Sequence, residues 1–224
     1  LPQRRRQKTT TAQKFAHTVI YDNPGLRTYL IDSAKSKAIC IAYSGDHVLR
    51  LKGVAAEPGT ALTICRIEPE NNLEMLIEGA LLAGIHKYTI IGNWNHSLYA
   101  QQLRKRYSNE KRLLLLDPIY NAGRLAELRE ACWIYLHGHS VGGTNPSLVE
   151  MLFYDSHILC FDAIFNRQTA EEAANYFHDS KSLAFLIEAT QNLCKISRFK
   201  LRGNYTAEAI SSALQNSFQT SAQR

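Results

Sequence analysis

Tyr135-Leu136-His137-Gly138-His139-Ser140-Val141-Gly142-Gly143-Thr144-Asn145-Pro146-Ser147-Leu148-Val149-Glu150 is the stretch on which the reading of this chain turns. A short apolar run, Trp133 to Leu136, stops at a polar loop with three glycines, and an amphipathic run follows. Asn145 suits an N-cap, and Pro146 suits the first helical position, where its missing N–H costs nothing. The segment reads as strand, glycine loop and helix N-terminus. Such a junction turns free backbone N–H groups and the positive end of a helix toward whatever lies above the strand end, which favours a phosphate or carboxylate. Glycines at 142 and 143 would let an anion approach the backbone with no Cβ in the way. An ordinary tight strand-to-helix turn would look similar, but the two histidines and the glutamate beside these glycines favour a site.

Outward from this stretch, apolar runs at Ala38–Tyr43, Leu62–Ile67, Tyr88–Ile91, Arg112–Leu116, Trp133–Leu136 and His157–Phe161 are nearly continuous. Strands buried on both faces of a parallel sheet have this appearance. Helical patterns separate them. In Asn72–Gly84, residues Leu73, Leu76, Ile77, Ala80 and Leu81 recur at helical spacing, with Gly84 placed as a stop. Leu98–Tyr107, Asn121–Cys132 and Pro146–Phe153 follow the same pattern, and Thr169–Phe177, Ser180–Cys194 and Tyr205–Phe218 read as helices too. The alternation predicts an α/β fold with a doubly wound parallel sheet, its ligand crevice at the carboxyl ends of the strands. Val19–Gly25 reads as a strand ending in a turn, followed by a short helix over Leu26–Ala34, either an edge strand or the end of a preceding domain.

Composition narrows the class. The 224 residues are 45% hydrophobic and 21% charged, the balance of a soluble globular protein. No apolar run approaches the ~18 residues needed to span a bilayer. Cys40, Cys65, Cys132, Cys160 and Cys194 are scattered without metal or redox spacing, and read as free thiols of a reducing cytoplasm. Five of the six net positive charges sit in residues 1–14 (Arg4, Arg5, Arg6, Lys8, Lys14), so the body is near neutral. A basic tail on a neutral body argues against nucleic acid as partner. It reads as a disordered linker stub, with weak contact to an anionic membrane surface left open. The chain lacks an initiator methionine, which points to a piece of a longer protein.

Arg66-Ile67-Glu68-Pro69-Glu70-Asn71-Asn72, Gly92-Asn93-Trp94, the HGHSVGGTNPSLVE stretch and Phe165-Asn166-Arg167 together carry a resemblance. They resemble the donor-binding half of bacterial glycosyltransferases of the two-Rossmann-domain (GT-B) class, family four, and most nearly its rhamnosyltransferase-like branch. The likeness runs from about Val19 to Phe218. It implies a Rossmann-like nucleotide-diphosphate-sugar domain over residues 38–204. Residues 15–37 would end the acceptor-side domain, and residues 205–224 would form a helix crossing back over the interdomain cleft. The implied activity is transfer of a hexosyl or rhamnosyl group to a glycan or lipid-linked glycan in bacterial surface polysaccharide synthesis, such as capsule. It would take place in the cytoplasm or at the inner membrane face, with no cofactor besides the sugar-nucleotide substrate. The catalytic group would belong to an acceptor domain not contained in these residues.

The resemblance also assigns roles. Arg66 would contact the donor diphosphate, the amides of Gly142, Gly143 and Thr144 with Asn145 would cradle the distal phosphate, and Glu150 would hold the ribose hydroxyls. Two departures stand out, since many relatives have lysine at the place of Asn71 and a first glutamate at the place of Gly142. Read from the residues alone, Arg66 could instead pair with Glu68 or Glu70. Glu150 could serve only the helix dipole, and Asn166 and Arg167 read as the start of a helix. His137, His139 and Asn71 are candidates for sugar or phosphate contacts, although a histidine here could simply satisfy a backbone carbonyl. No third ligand accompanies the two histidines, so no metal site is assigned. Asp117-Pro118, at a strand end, is a weak candidate for proximity to the base. A non-catalytic binding or assembly module of the same fold is the competing reading. A nucleotide-sugar epimerase would need cleft carboxylates that the sequence does not show.

Overall fold

The computed structural model describes residues 10–190 and 198–222. Two sheets are present among them. A small parallel pair joins β1 (Val19–Tyr21) to β2 (Ala38–Cys40). The main sheet comprises β3 (Glu57–Ile64), β4 (Lys87–Ile91), β5 (Leu113–Leu116), β6 (Cys132–His137), β7 (His157–Phe161) and β8 (Asn175–Phe177). Its order is β5-β4-β3-β6-β7-β8, and every pairing is parallel. Counted from β3, this is the 3-2-1-4-5-6 order of a doubly wound sheet, and the winding reverses between β3 and β6.

The helices are α1 (residues 10–15), α2 (Asp32–Lys35), α3 (Leu73–Leu82), α4 (Leu98–Arg106), α5 (Ala122–Ala131), α6 (Pro146–Met151), α7 (Ile164–Ala170), α8 (Ser180–Ala189), α9 (Phe199–Gly203) and α10 (Ala207–Ala222). Successive strand residues point to opposite faces, so each apolar run feeds two cores. Ala61, Ile90, Ile134 and Leu136 pack under Leu73, Leu76 and Ile77 of α3, Leu103 of α4 and Leu183 of α8. Their neighbours Leu62, Ile91 and Tyr135 pack on the other face against Leu148, Val149 and Met151 of α6. Tyr88 is fully buried, and its hydroxyl meets Thr63 Oγ1 at 2.7 Å; Thr63 in turn donates to the Leu136 carbonyl. That chain of bonds satisfies the polar groups between the central strands, as burial requires.

Three expectations are corrected. The run Ala38–Tyr43 supplies no strand of the main sheet: β2 pairs with β1, and the sheet begins at Glu57, ahead of the expected Leu62. Alternation is weak at the start of β3, where Glu57, Pro58 and Gly59 interrupt the apolar pattern. The expected helix Thr169–Phe177 is the end of α7, a 3-10 turn and strand β8. Glu171, at φ 45°, ends α7, and three strand residues are too few to show a period. The basic tail is not wholly irregular, because residues 10–15 are helical; residues 1–9 lie outside the described ones, as does the end of the expected helix Ser180–Cys194.

The glycine loop between β6 and α6 is held on two sides. From the β3–α3 loop, Asn72 Nδ2 donates to Gly138 O at 2.8 Å, and Glu70 O accepts from both the backbone N–H and the hydroxyl of Ser140 at 2.9 Å. From the turn after β1, the fully buried Asn23 donates to Thr144 Oγ1, Phe165 O and Thr169 Oγ1, and its own Oδ1 caps Gly25 N. These loops approach so closely that a Cβ on Gly138 would lie 2.2 Å from Asn71 O. Gly138→Ala is therefore expected to cost about 1–3 kcal/mol in urea unfolding. Gly203→Ala, where no atom lies within 4 Å of the new Cβ, should be neutral or mildly stabilising.

Candidate functional site

A cleft of about 550 Å³ opens at the carboxyl ends of the strands, beside the reversal between β3 and β6. The loops after β3 and β6 line it with the polar Arg66, Asn71, His139, Asn145 and Ser147; the β4 side adds Ile91, Asn93 and His96, and the segment after β5 adds the apolar Pro118, Ile119 and Leu125 with Tyr120. A volume of this size suits a small organic ligand, commonly about 300–1,000 Å³.

Four expected residues therefore meet at one mouth: Arg66, Asn71, His139 and Asn145. Arg66 is exposed and makes the expected ion pairs as well, at 3.1 Å to Glu68 and 3.8 Å to Glu70. Glu68 also lies 3.8 Å from His96. The hydrogen bond between Glu68 and Glu70 raises the first carboxyl and lowers the second, so the acidic pair holds its charge unevenly beside the guanidinium. Asn71 is buried; its Nδ2 donates to Arg66 O at 2.8 Å and its Oδ1 meets His139 Nδ1 at 3.0 Å. Asn145 caps α6 by accepting from Ser147 N at 3.0 Å, as its position before Pro146 predicts. Cys65 also lines the cleft, but burial pushes its thiol up to about 12, which leaves it protonated and inert.

Other expected residues lie elsewhere. Gly143 and Thr144 do not line the cleft; they pack against the turn after β1. A Cβ on Gly143 would lie 2.0 Å from Asp22 Oδ1, and the Thr144 hydroxyl donates to Asp22 O. Gly142 has φ 116°, a backbone that only glycine adopts readily, and sits over the His139 ring. No hydrogen bond ties the amides of Gly142 and Gly143 to the other described residues. His137 is corrected from a ligand contact to a core residue. As the last residue of β6 it points to the same face as Tyr135, stacks on that ring, and is 2% exposed. Asn166 and Arg167 fall within α7, where Asn166 Nδ2 donates to His139 O and Arg167 pairs with Asp162.

Glu150 is not among the residues that line the cleft. Five residues past Asn145 turn the helix by about 140° beyond a full turn and set the side chain deeper along α6. Its Oε2 is held by the buried Arg129 of α5, and its Oε1 lies 3.2 Å from the exposed His47. Leu125 and Arg129 share a face of α5, so this carboxylate sits one turn below the cleft wall. The pairing of Arg129 with Glu150, the Asn23 clasp and the cleft-lining Ile119 and Tyr120 were not foreseen. Only Tyr120 had a usable signal, as a residue just beyond the end of an apolar strand run. Among the described residues, no cluster of three or more His, Cys, Asp or Glu is placed to hold a metal ion, and no helix is long and apolar enough to cross a membrane.

No protein-family model and no curated relative matches the chain. Solved structures do. Sucrose-phosphate synthase from Thermosynechococcus elongatus superposes with a TM-score of 0.80 at 13% identity, over 97% of this chain and 61% of that one. HepE from Anabaena, solved with UDP-glucose, gives 0.74 at 16% identity over 100% and 69%. TarM of S. aureus gives 0.73 at 14% identity over 96% and 46%, so this chain spans about half of TarM. The fold is that of a Rossmann-like GT-B glycosyltransferase domain. The family-four rhamnosyltransferase-like assignment is finer than this likeness reaches. In this GT-B-type domain the cleft lies where a doubly wound sheet places its ligand crevice, and it is built on the β3, β4 and β5 ends and the start of α6.

Burial beneath the cleft has a measurable consequence. It holds His137 neutral, lowering its value from the usual 6.5 to about 3. Between those values the unfolded chain binds a proton that the native chain does not, so this histidine's share of stability is full above about pH 6.5 and is lost as pH falls toward 3. His137→Phe should flatten the acid loss, by at most about 1.4 kcal/mol per pH unit. Urea midpoints at pH 7 and pH 5 for both proteins check this.

Proposed function

We propose that this chain is the nucleotide-diphosphate-sugar binding domain of a glycosyltransferase. The observation that carries the reading is the split character of the cleft at the strand ends. The apolar segment after β5, ending in the exposed Tyr120 ring, suits a nucleobase, whereas the loops after β3 and β6 contribute Arg66, Asn71, His139 and Asn145. Support comes from neighbours of the same fold, with HepE solved in complex with UDP-glucose and with UDP, and the pneumococcal GtfA with UDP and GlcNAc.

In this reading Arg66 exchanges its exposed partner Glu68 for the donor diphosphate, a contact to which a planar guanidinium is well fitted. The uncommitted amide of Gly142, beside the His139 ring, supplies a further donor to the distal phosphate. Glu150 accepts the ribose hydroxyls through Oε1 once the exposed His47 gives way, while Arg129 keeps Oε2 fixed. Transfer of a hexosyl or rhamnosyl group to a glycan or lipid-linked acceptor then needs an acceptor-side domain, because holding both substrates together supplies much of such a rate enhancement. Bacterial surface polysaccharide synthesis in the cytoplasm, or at the inner membrane face, is the setting proposed. The competing reading, a binding or assembly module without transfer, draws on one observation: Arg66 is already neutralised by two carboxylates.

Calorimetry with UDP, uridine and pyrophosphate tests the reading. UDP should bind far more tightly than uridine, and Arg66→Ala should cost UDP about 1.5–3 kcal/mol. Glu68→Gln should strengthen UDP binding, since it frees the guanidinium without touching the ligand. Glu150→Gln should weaken UDP and spare pyrophosphate. Equal affinity for UDP and uridine would remove the diphosphate site from the proposal.

A further inference from the structure

We propose that Asn71 locks His139 with its proton on Nδ1, so that His139 Nε2 accepts a hydrogen bond from a hydroxyl of the sugar on the bound nucleotide. This deepens the reading above and rests on it for the identity of the ligand.

The lock follows from hydrogen-bond accounting. Arg66 O can only accept, so the Asn71 atom 2.8 Å from it is the amide nitrogen. The other terminal atom of Asn71 is then the carbonyl oxygen, and it faces His139 Nδ1 at 3.0 Å. An oxygen without a hydrogen needs a donor, so Nδ1 carries the proton and the lone pair of a neutral ring is left on Nε2. Asn71 itself has no freedom to turn over. It is 4% exposed, and its backbone N–H donates to Glu68 O.

Nε2 is also the atom that faces the glycine loop. The place where a Cβ of residue 142 would stand is 3.0 Å from it, so the glycine leaves this nitrogen uncovered. The ring lines the cleft, with Asn71 against its Nδ1. The charged and titratable groups facing it are Arg66 and Glu70 from the β3–α3 loop and His137 from β6. Burial is the leading influence, with Arg66 next and Glu70 opposing, and together they lower the histidine from its usual value, so the ring stays neutral at pH 7. A neutral Nε2 repels a phosphate oxygen and attracts an O–H. Arg66 deals with the anion; His139 is left to recognise a hydroxyl, and Asn71 acts as its positioning residue.

Long-range proton–nitrogen NMR of the ¹⁵N-labelled chain reads the tautomer directly, with His139→Gln identifying the resonances. The expected result is an Nδ1–H tautomer at pH 7 whose Nε2 signal moves with UDP-glucose and not with UDP. An Nε2–H tautomer or a charged ring at pH 7 would overturn the proposal. Asn71→Asp, which places a carboxylate against Nδ1–H, should move the His139 titration to higher pH, and an unmoved titration would remove Asn71 from its positioning role. In affinity measurements, His139→Ala should weaken UDP-glucose about two- to tenfold relative to UDP, the range of one neutral hydrogen bond. His139→Gln, which keeps an acceptor near the place of Nε2, should restore most of that loss. Equal weakening of UDP and UDP-glucose would make His139 a phosphate contact and overturn the hydroxyl assignment. If neither nucleotide binds the wild-type chain, the nucleotide-sugar reading fails and the hydroxyl assignment with it. An intact Nδ1–H tautomer in that protein would still establish the Asn71 lock.

Discussion

The divergence of β3 and β6 is the constraint on which the rest of this molecule depends. These adjacent strands feed helices wound in opposite directions, so their carboxyl ends open a gap that no helix covers. The loops leaving them must close on each other across that gap. They do so through Asn72 to Gly138 O, Asn71 to His139 and Ser140 to Glu70 O, three contacts between two short segments. A flexible loop of this polarity would lose its geometry to water. Tied at three points to its neighbour and at Thr144 to the buried Asn23, it has little freedom left, and the cleft wall is set before any ligand arrives.

Charge in the site is arranged in pairs that differ in how readily they can be exchanged. Arg66 is 70% exposed on its side chain and held by carboxylates from its own loop, so solvent screening makes those pairs weak and replaceable by a stronger anion. Arg129 is 7% exposed on its side chain, and it also lies over the Tyr154 ring. A charge that deep is costly to leave alone, which makes the Arg129–Glu150 pair a fixed part of the wall. The exposed and the buried arginine thus fall to different tasks, one free to change partner and the other holding a carboxylate in place.

The doubly wound sheet was legible because β5, β6 and β7 carry nearly continuous apolar runs, and because α3 shows five apolar residues at helical spacing. The Asn145–Pro146 start of α6 was legible for a local reason, since cap chemistry is contained in adjacent residues. What stayed hidden depends on distant contacts. β2 looks like any other strand of the sheet until its pairing with β1 is seen, and β8 is too short to show a period. Arg66, Asn71 and His139 line one cleft, supplied by the loops that follow β3 and β6. His137, two residues from His139, shares its residue type and yet belongs to the core. The end of the strand decides that difference: His137 closes β6, and His139 lies on the loop beyond it.

The glycine loop shows how one sequence signal can arise from separate physical causes. Gly142 and Gly143 read as sites for an approaching anion, and Gly138 as a glycine of the same loop. In the structure Gly138 admits the Asn71 carbonyl, Gly143 admits the Asp22 carboxylate, and Gly142 takes a positive φ above His139. Two of the three are therefore required by the protein's own loops packing together, and would be required with no ligand at all. Only Gly142 stands where its lack of a side chain keeps a cleft residue accessible. The same closeness that makes the motif conspicuous in sequence builds the wall against which Arg66, Asn71 and His139 are held. Gly138 and Gly143 thus serve the site by letting those loops meet.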